Sequence, residues 1–280
     1  EAQAAVLLDR VTPTGTVTIV EGAYTRQVTV TLALSATDVA PSSGVVQMRV
    51  RQAGEAWGEW KSYGNSETLR LSGDDGEKMV GVQYRDGAGN ESDEAQAAVL
   101  LDRVTPTGTV TLVEGAYTRQ VTVTLALSAT DVAPSSGVVQ MRVRQAGEAW
   151  GEWKSYGNSE TLRLSGDDGE KMVGVQYRDG AGNESDEAQA AVLLDRVAPS
   201  VLVTVPVQLA AGPIPVAWLA VDPEPSSGNF LYTVQYRLQN SDDWTGWLTD
   251  TSSIAASFSG PALDNTYTFR VMARDAAGNM

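Results

Sequence analysis

The sequence predicts an all-β chain of three antiparallel β-sandwiches in tandem, strung into an elongated rod. Three observations predict it. Apolar and polar residues alternate with period two, and helical periodicity is absent. The string EAQAAVLLDRVTPTGTVT begins at Glu1 and again at Glu94, a spacing of 93 residues. Turn signals rich in Gly, Pro, Ser and Asp separate the alternating runs.

A period near 90 residues is a whole domain, not a solenoid unit of ~20–50 residues. Through Asp93 and Asp186 the first two copies differ at one position, Ile19 against Leu112. A third copy opens at Glu187 with EAQAAVLLDRVAPS and then diverges, keeping landmarks. Trp57-Gly58-Glu59-Trp60 becomes Trp244-Thr245-Gly246-Trp247, and Asp86-Gly87-Ala88-Gly89-Asn90 becomes Asp275-Ala276-Ala277-Gly278-Asn279.

Within one copy the elements follow in order. Ala2, Ala4, Val6 and Leu8 make the apolar stripe of a strand, and Thr16 to Val20 make another. Val28, Val30, Leu32, Leu34 and Ala36 alternate with Thr29, Thr31, Ala33 and Ser35, a half-buried strand. Val46, Met48 and Val50 alternate with Gln47, Arg49 and Arg51. The stretch Trp57–Tyr63 is a further strand, and Leu69 and Leu71 flank Arg70. Val80, Val82 and Tyr84 complete the set. About seven short strands in ~90 residues is the pattern of a sandwich whose two sheets each bury one face. The linker Leu8-Asp9-Arg10-Val11-Thr12-Pro13 is short, and proline biases its neighbour to be extended, so a semi-rigid joint is expected.

These residues carry a resemblance. Val82–Asn90 (VQYRDGAGN), Leu8–Pro13 (LDRVTP) and the Trp-x-x-Trp segment make the chain similar to bacterial tandem Ig-like and fibronectin type III-like surface repeats. In the third copy, Leu263–Val271 (LDNTYTFRV) resembles the fibronectin tyrosine-corner strand. The resemblance covers essentially the whole chain. It implies three Ig-like or FN3-like domains, an extracellular or cell-surface location, and a stalk, spacer or adhesion role without catalytic residues.

Composition excludes several functions. The chain is 42% hydrophobic, enough for packed cores, and its net charge of −15 repels nucleic acid and anionic lipid. No Cys and no His are present, which removes thiol nucleophiles, Ser-His-Asp triads, disulfides and Cys/His zinc sites. No apolar run is long enough to span a bilayer. No organic cofactor is expected, and a bound metal would be a hard cation such as Ca2+ on oxygen ligands.

The strand order places the domains at 10–101, 102–194 and 195–280, with residues 1–9 as an orphan last strand. The final strand of each sandwich is the AQAAVLL run that follows the Asp-Gly-Ala-Gly-Asn turn, so the third domain lacks it. Burying a Val or Leu is worth roughly 1.5–3 kcal/mol, so the missing strand is a large loss, and it leaves an open edge that invites pairing. Ala2, Ala4, Val6 and Leu8 are then the donor strand for a neighbouring copy, and Tyr267, Phe269, Val271 and Ala273 line the acceptor edge. The competing reading is a fragment of one long array, cut at a loop tip.

Three further clusters stand out. Trp57, Trp60, Trp150, Trp153, Trp244 and Trp247 could stack sugar rings, although residues three apart on a strand face opposite sides. Asp9, Asp86 and Asn90 could hold Ca2+ near a domain junction, or serve only as a tight turn. Asp74, Asp75 and Glu77 read as a solvated turn tip. The expected function is a non-enzymatic structural segment of an extracellular filament or stalk, whose partners are other copies of the chain, head to tail. The alternative is a spacer or adhesin array that binds a glycan or a cell-surface ligand.

Overall fold

The computed structural model describes residues 3–4, 6, 8–209, 212–261 and 265–280. The first domain runs β1 (Thr14–Ile19), β2 (Tyr24–Thr25), β3 (Thr29–Thr37), β4 (Val45–Gln52), β5 (Lys61–Ser62), β6 (Ser66–Arg70), β7 (Gly76–Asp86) and β8 (Ala95–Leu101). Two sheets face each other, one ordered β1-β3-β6 and the other β2-β8-β7-β4-β5. All pairs are antiparallel except the two-residue match of β2 with β8, which is parallel.

The period-two pattern explains the core. Val30 and Leu32 from one sheet and Val80, Val82, Tyr84 and Leu101 from the other are fully buried, while the intervening residues face outward. The Tyr84 hydroxyl donates to the Thr16 carbonyl at 2.7 Å, which ties the two sheets together.

The second domain repeats this in β9 (Thr107–Leu112), β10 (Tyr117–Thr118), β11 (Thr122–Thr130), β12 (Val138–Gln145), β13 (Lys154–Ser155), β14 (Ser159–Arg163), β15 (Gly169–Asp179) and β16 (Ala188–Leu194). The third contains β17 (Ser200–Thr204), β18 (Ile214–Val221), β19 (Leu231–Leu238), β20 (Thr245–Thr251), β21 (Ala255–Phe258) and β22 (Tyr267–Arg274). Its sheets are ordered β17-β18-β21 and β20-β19-β22. The chain is therefore an all-β series of three tandem sandwiches. Among the described residues, no helix is long and apolar enough to cross a membrane.

The third domain differs at one edge. β7 is covered by β8 and β15 by β16, whereas β22 pairs with β19 alone among the described residues. Val80 and Val82 are fully buried under β8, but Phe269 and Val271 at the matching positions of β22 are only half-buried. Tyr267 is half-buried as well, and Ala273 is buried.

Two local features depart from the alternation. The Trp57–Tyr63 stretch forms a strand only at Lys61–Ser62. Trp57 and Trp60 lie before it, held by one backbone bond from Gly58 N–H to the Val50 carbonyl and by arginine side chains. The strand β2 carries no apolar period because it is two residues long and follows a turn in which Gly22 has φ +90°.

Candidate metal centre at the domain junctions

The linker, the loop after the second long strand and the hairpin turn of each repeat meet at one end of each sandwich. Three aspartates converge there: Asp9, Asp38 and Asp86; Asp102, Asp131 and Asp179; Asp195, Asp222 and Asp275. In each trio one oxygen per carboxylate lies within 4.8 Å of the other two. The linker and turn aspartates are buried, with Asp102 and Asp195 at 0% exposure.

Backbone N–H groups hold the linker and turn carboxylates in place. Asp102 accepts from Val104 N–H at 3.1 Å and from Ser136 N–H at 2.8 Å. Asp179 accepts from Asn183 N–H at 2.8 Å, and the Asn183 amide donates both to Asp179 and, at 3.0 Å, to the Asp102 carbonyl. The same pattern repeats at Asn90 and Asn279. Asn90 is thus a clip that draws Asp9 and Asp86 together through its N–H groups.

Asp38, Asp131 and Asp222 each accept a side-chain bond from a serine through one oxygen, while their Oδ1 atoms are buried without any hydrogen-bond partner. An orphaned carboxylate oxygen recurs in every repeat, on the aspartate that lies close to two other carboxylates. None of the nine aspartates joins an ion pair among the described residues. Burial pushes the Asp179 carboxyl above its usual value, opposed by the Asn183 bonds and reinforced by the charges of Asp102 and Asp131. Burial likewise raises Asp222, with Asp195, Asp275 and Glu224 adding to it. Asp9 is lowered, chiefly by its hydrogen bond with Ser43.

Two like charges ~4 Å apart repel by roughly 4 kcal/mol at an effective dielectric near 20, so three uncompensated carboxylates favour a cation. An all-oxygen donor set suits a hard one. Ca2+ binds oxygens at about 2.4 Å, so its shell spans about 4.8 Å and the three carboxylates fit around a single ion. Asp9 and Asp86 were legible from the sequence, but Asp38 was not. The signal is the Asp-x-x-Pro-Ser-Ser-Gly string at Asp38–Gly44, which survives as Asp222–Gly228 in the divergent third repeat.

The tryptophans are placed differently from the sequence expectation. The Arg49 guanidinium lies 5.0 Å from the Trp57 ring and 4.4 Å from the Trp60 ring, so the two share a side. Arg51 covers Trp57 at 4.3 Å, and Arg85 covers Trp60 at 3.9 Å. Trp150 and Trp153 repeat the stack with Arg142, Arg144 and Arg178. Trp244 carries Arg237 and Arg270, whereas Trp247 packs in the core against Phe258 and Phe269. Arginine side chains thus lie against five of the six rings, and Trp247 packs among core aromatics.

The turn at Asp74–Gly76 is also more than a solvated tip. Asp75 accepts from the Arg103 backbone N–H at 3.0 Å and pairs with its side chain, which anchors the linker to the first domain. Burial raises the Asp75 carboxyl, but the bonds from Arg103 outweigh it and hold it below the usual value.

Of the proposed donor residues, Ala4, Val6 and Leu8 are exposed, and Ala2 lies outside the described residues. Val6 is 91% and Leu8 66% exposed, while Val99 and Leu101 at the same repeat positions in β8 are 1% and 0% exposed.

No protein-family model matches the chain. No curated protein matches its sequence. Among solved structures, the chain is similar to the fibronectin(III)-like modules of Clostridium thermocellum CbhA, at 12% identity and a TM-score of 0.42, over 64% of this chain and 93% of that one. It is also similar to the FN1–FN3 domains of chicken CNTN1, at 14% identity and a TM-score of 0.37, over 94% of this chain and 93% of that one.

Proposed function

We propose that the chain is a non-enzymatic structural segment of an extracellular stalk or filament, extended head to tail by copies of itself. The observation that carries this reading is one of identity. The residues EAQAAVLL form the strand that covers β7 in the first domain and the one that covers β15 in the second. The same eight residues stand at 1–8, with Val6 and Leu8 exposed, while among the described residues β22 pairs on one side only, with β19. Strand addition of residues 1–9 to the β22 edge of a neighbour hides both surfaces. A contact between unlike surfaces does not close, so it propagates as a fibre.

Ca2+ at the aspartate trios supports the same role. The ion neutralises the carboxylate of a linker residue that is bonded to both flanking domains: the Asp102 N–H donates to the Thr25 carbonyl of the first domain, and its carboxylate accepts from Ser136 N–H of the second. A joint clamped in this way stiffens a stalk.

The test is deletion of residues 1–8. The 280-residue chain is expected to form concentration-dependent head-to-tail assemblies in analytical ultracentrifugation and electron micrographs, and the truncated chain to remain monomeric. Assembly that survives the deletion refutes strand addition.

A further inference from the structure

Three arginines occupy one repeat position, each just before the turn aspartate: Arg85, Arg178 and Arg274. Arg85 donates to Glu91 at 2.6 Å and to Gln47 at 3.4 Å. Arg274 donates to Asp250 at 2.9 Å. Arg178 does neither. Among the described residues its guanidinium has no hydrogen bond and no ion pair, and its Nε is buried without an acceptor. One face rests on Trp153 at 4.0 Å. The Nε of Arg85 is orphaned as well, but its terminal nitrogens are engaged. Among the described residues Glu184, the counterpart of Glu91, pairs only with Arg142.

The first two repeats are nearly identical in sequence, so the difference arises from position. The first domain stands against this end of the second, where the Tyr24 ring lies so close to Gly180 that an added Cβ would sit 3.2 Å from it. Between them is a groove of about 400 Å3, within the usual range for ligand pockets. Tyr24, Arg26, Gln27, Gln140, Arg178 and Gly182 line it. The two acids that also border it are committed elsewhere: Glu21 accepts from Thr31 N–H, and Asp179 from Asn183.

The groove therefore offers an unpaired guanidinium fork, a second arginine that already gives one nitrogen to the Gly182 carbonyl, two primary amides and an aromatic ring exposed at 43%. A guanidinium fork matches a carboxylate bidentately, amides read hydroxyls, and an exposed tyrosine ring seats a sugar face. We propose that the groove between the first and second domains binds an acidic sugar of the uronic-acid class. Arg178 holds the carboxylate, Gln27 and Gln140 meet the hydroxyls, and Tyr24 lies along the ring. The chain has one such site among the described residues, because the other two arginines at this position are already paired.

The experiment is calorimetric titration of the full chain with trigalacturonate, its methyl ester, and a tripeptide bearing a free C-terminus. Trigalacturonate is expected to bind one per chain and to weaken as salt rises. The methyl ester and the tripeptide are expected to bind at least tenfold more weakly. Arg178→Gln is expected to cut affinity at least tenfold and Arg178→Lys by a smaller factor, whereas Arg85→Gln leaves it unchanged. Each variant is checked for an unaltered melting curve. The proposal is overturned by absence of saturable trigalacturonate binding, by equal affinity for the ester, by tighter binding of the tripeptide, or by wild-type affinity in a folded Arg178→Gln chain.

Discussion

The Arg26 guanidinium of the first domain donates to the backbone carbonyl of Gly182 in the second, at 2.8 Å across the junction. Arg119 makes the same bond to Gly278 of the third domain, also at 2.8 Å. One exposed bond of this kind is worth on the order of 0.5–1 kcal/mol, too little to change domain stability but enough to bias a joint. Arg26→Ala and Arg119→Ala together are expected to leave the melting temperature within ~1–2 °C. They should broaden the distribution of interdomain distances seen by small-angle scattering. An unchanged distribution shows that the junctions are held without them.

Ca2+ at the aspartate trios, if bound as proposed, would make stability depend on a divalent cation. A ligand at ~100-fold its dissociation constant stabilises the folded state by about 2.7 kcal/mol. Millimolar Ca2+ is expected to raise the melting temperature by about 10 °C or more, since ~1 kcal/mol moves a domain of this size by ~4–8 °C. Asp131→Asn removes the orphaned charge. It should raise the melting temperature of metal-free protein slightly and abolish most of the Ca2+ response of the second domain. A melting curve indifferent to chelator and to Ca2+ removes the metal from the account.

Leu101 and Leu8 occupy the same repeat position in opposite states, 0% and 66% exposed. Truncating a buried Leu to Ala costs ~2–5 kcal/mol, and truncating an exposed one almost nothing. Leu101→Ala is therefore expected to destabilise the first domain strongly in urea titration. Leu8→Ala should leave monomer stability alone and weaken head-to-tail assembly.

Tyr84 and Tyr177 fix an alkaline limit. Burial, with a smaller contribution from Tyr63 and Tyr156 respectively, pushes each phenol up to about 12. A folded-state value above the unfolded value of about 10 means that the contribution is complete below pH ~10 and is lost as pH rises toward 12. Unfolding free energy is expected to fall across that interval. In Tyr84→Phe/Tyr177→Phe protein the slope should flatten, and stability at neutral pH should drop by roughly 1 kcal/mol for the lost bonds to Thr16 and Thr109.

The sequence by itself determined the strands and the repeat. Period-two alternation is a local property, so Val30 and Leu32, or Val80 and Val82, declare which face they bury without reference to distant residues. Tertiary structure alone decided what meets through space. Asp38 joins Asp9 and Asp86 because three loops end at one pole of the sandwich, and no local pattern encodes that convergence. Trp57 and Trp60 share a side because the segment that carries them is not a strand, so alternation does not apply, and the Arg49 guanidinium lies against both rings. Arg178 and Arg85 share the same surrounding sequence yet differ in partners, and Arg178 borders a groove lined also by residues of the first domain. Hydrophobic burial is read along the chain, whereas charge and hydrogen bonding are set by whichever groups folding brings within a few ångströms.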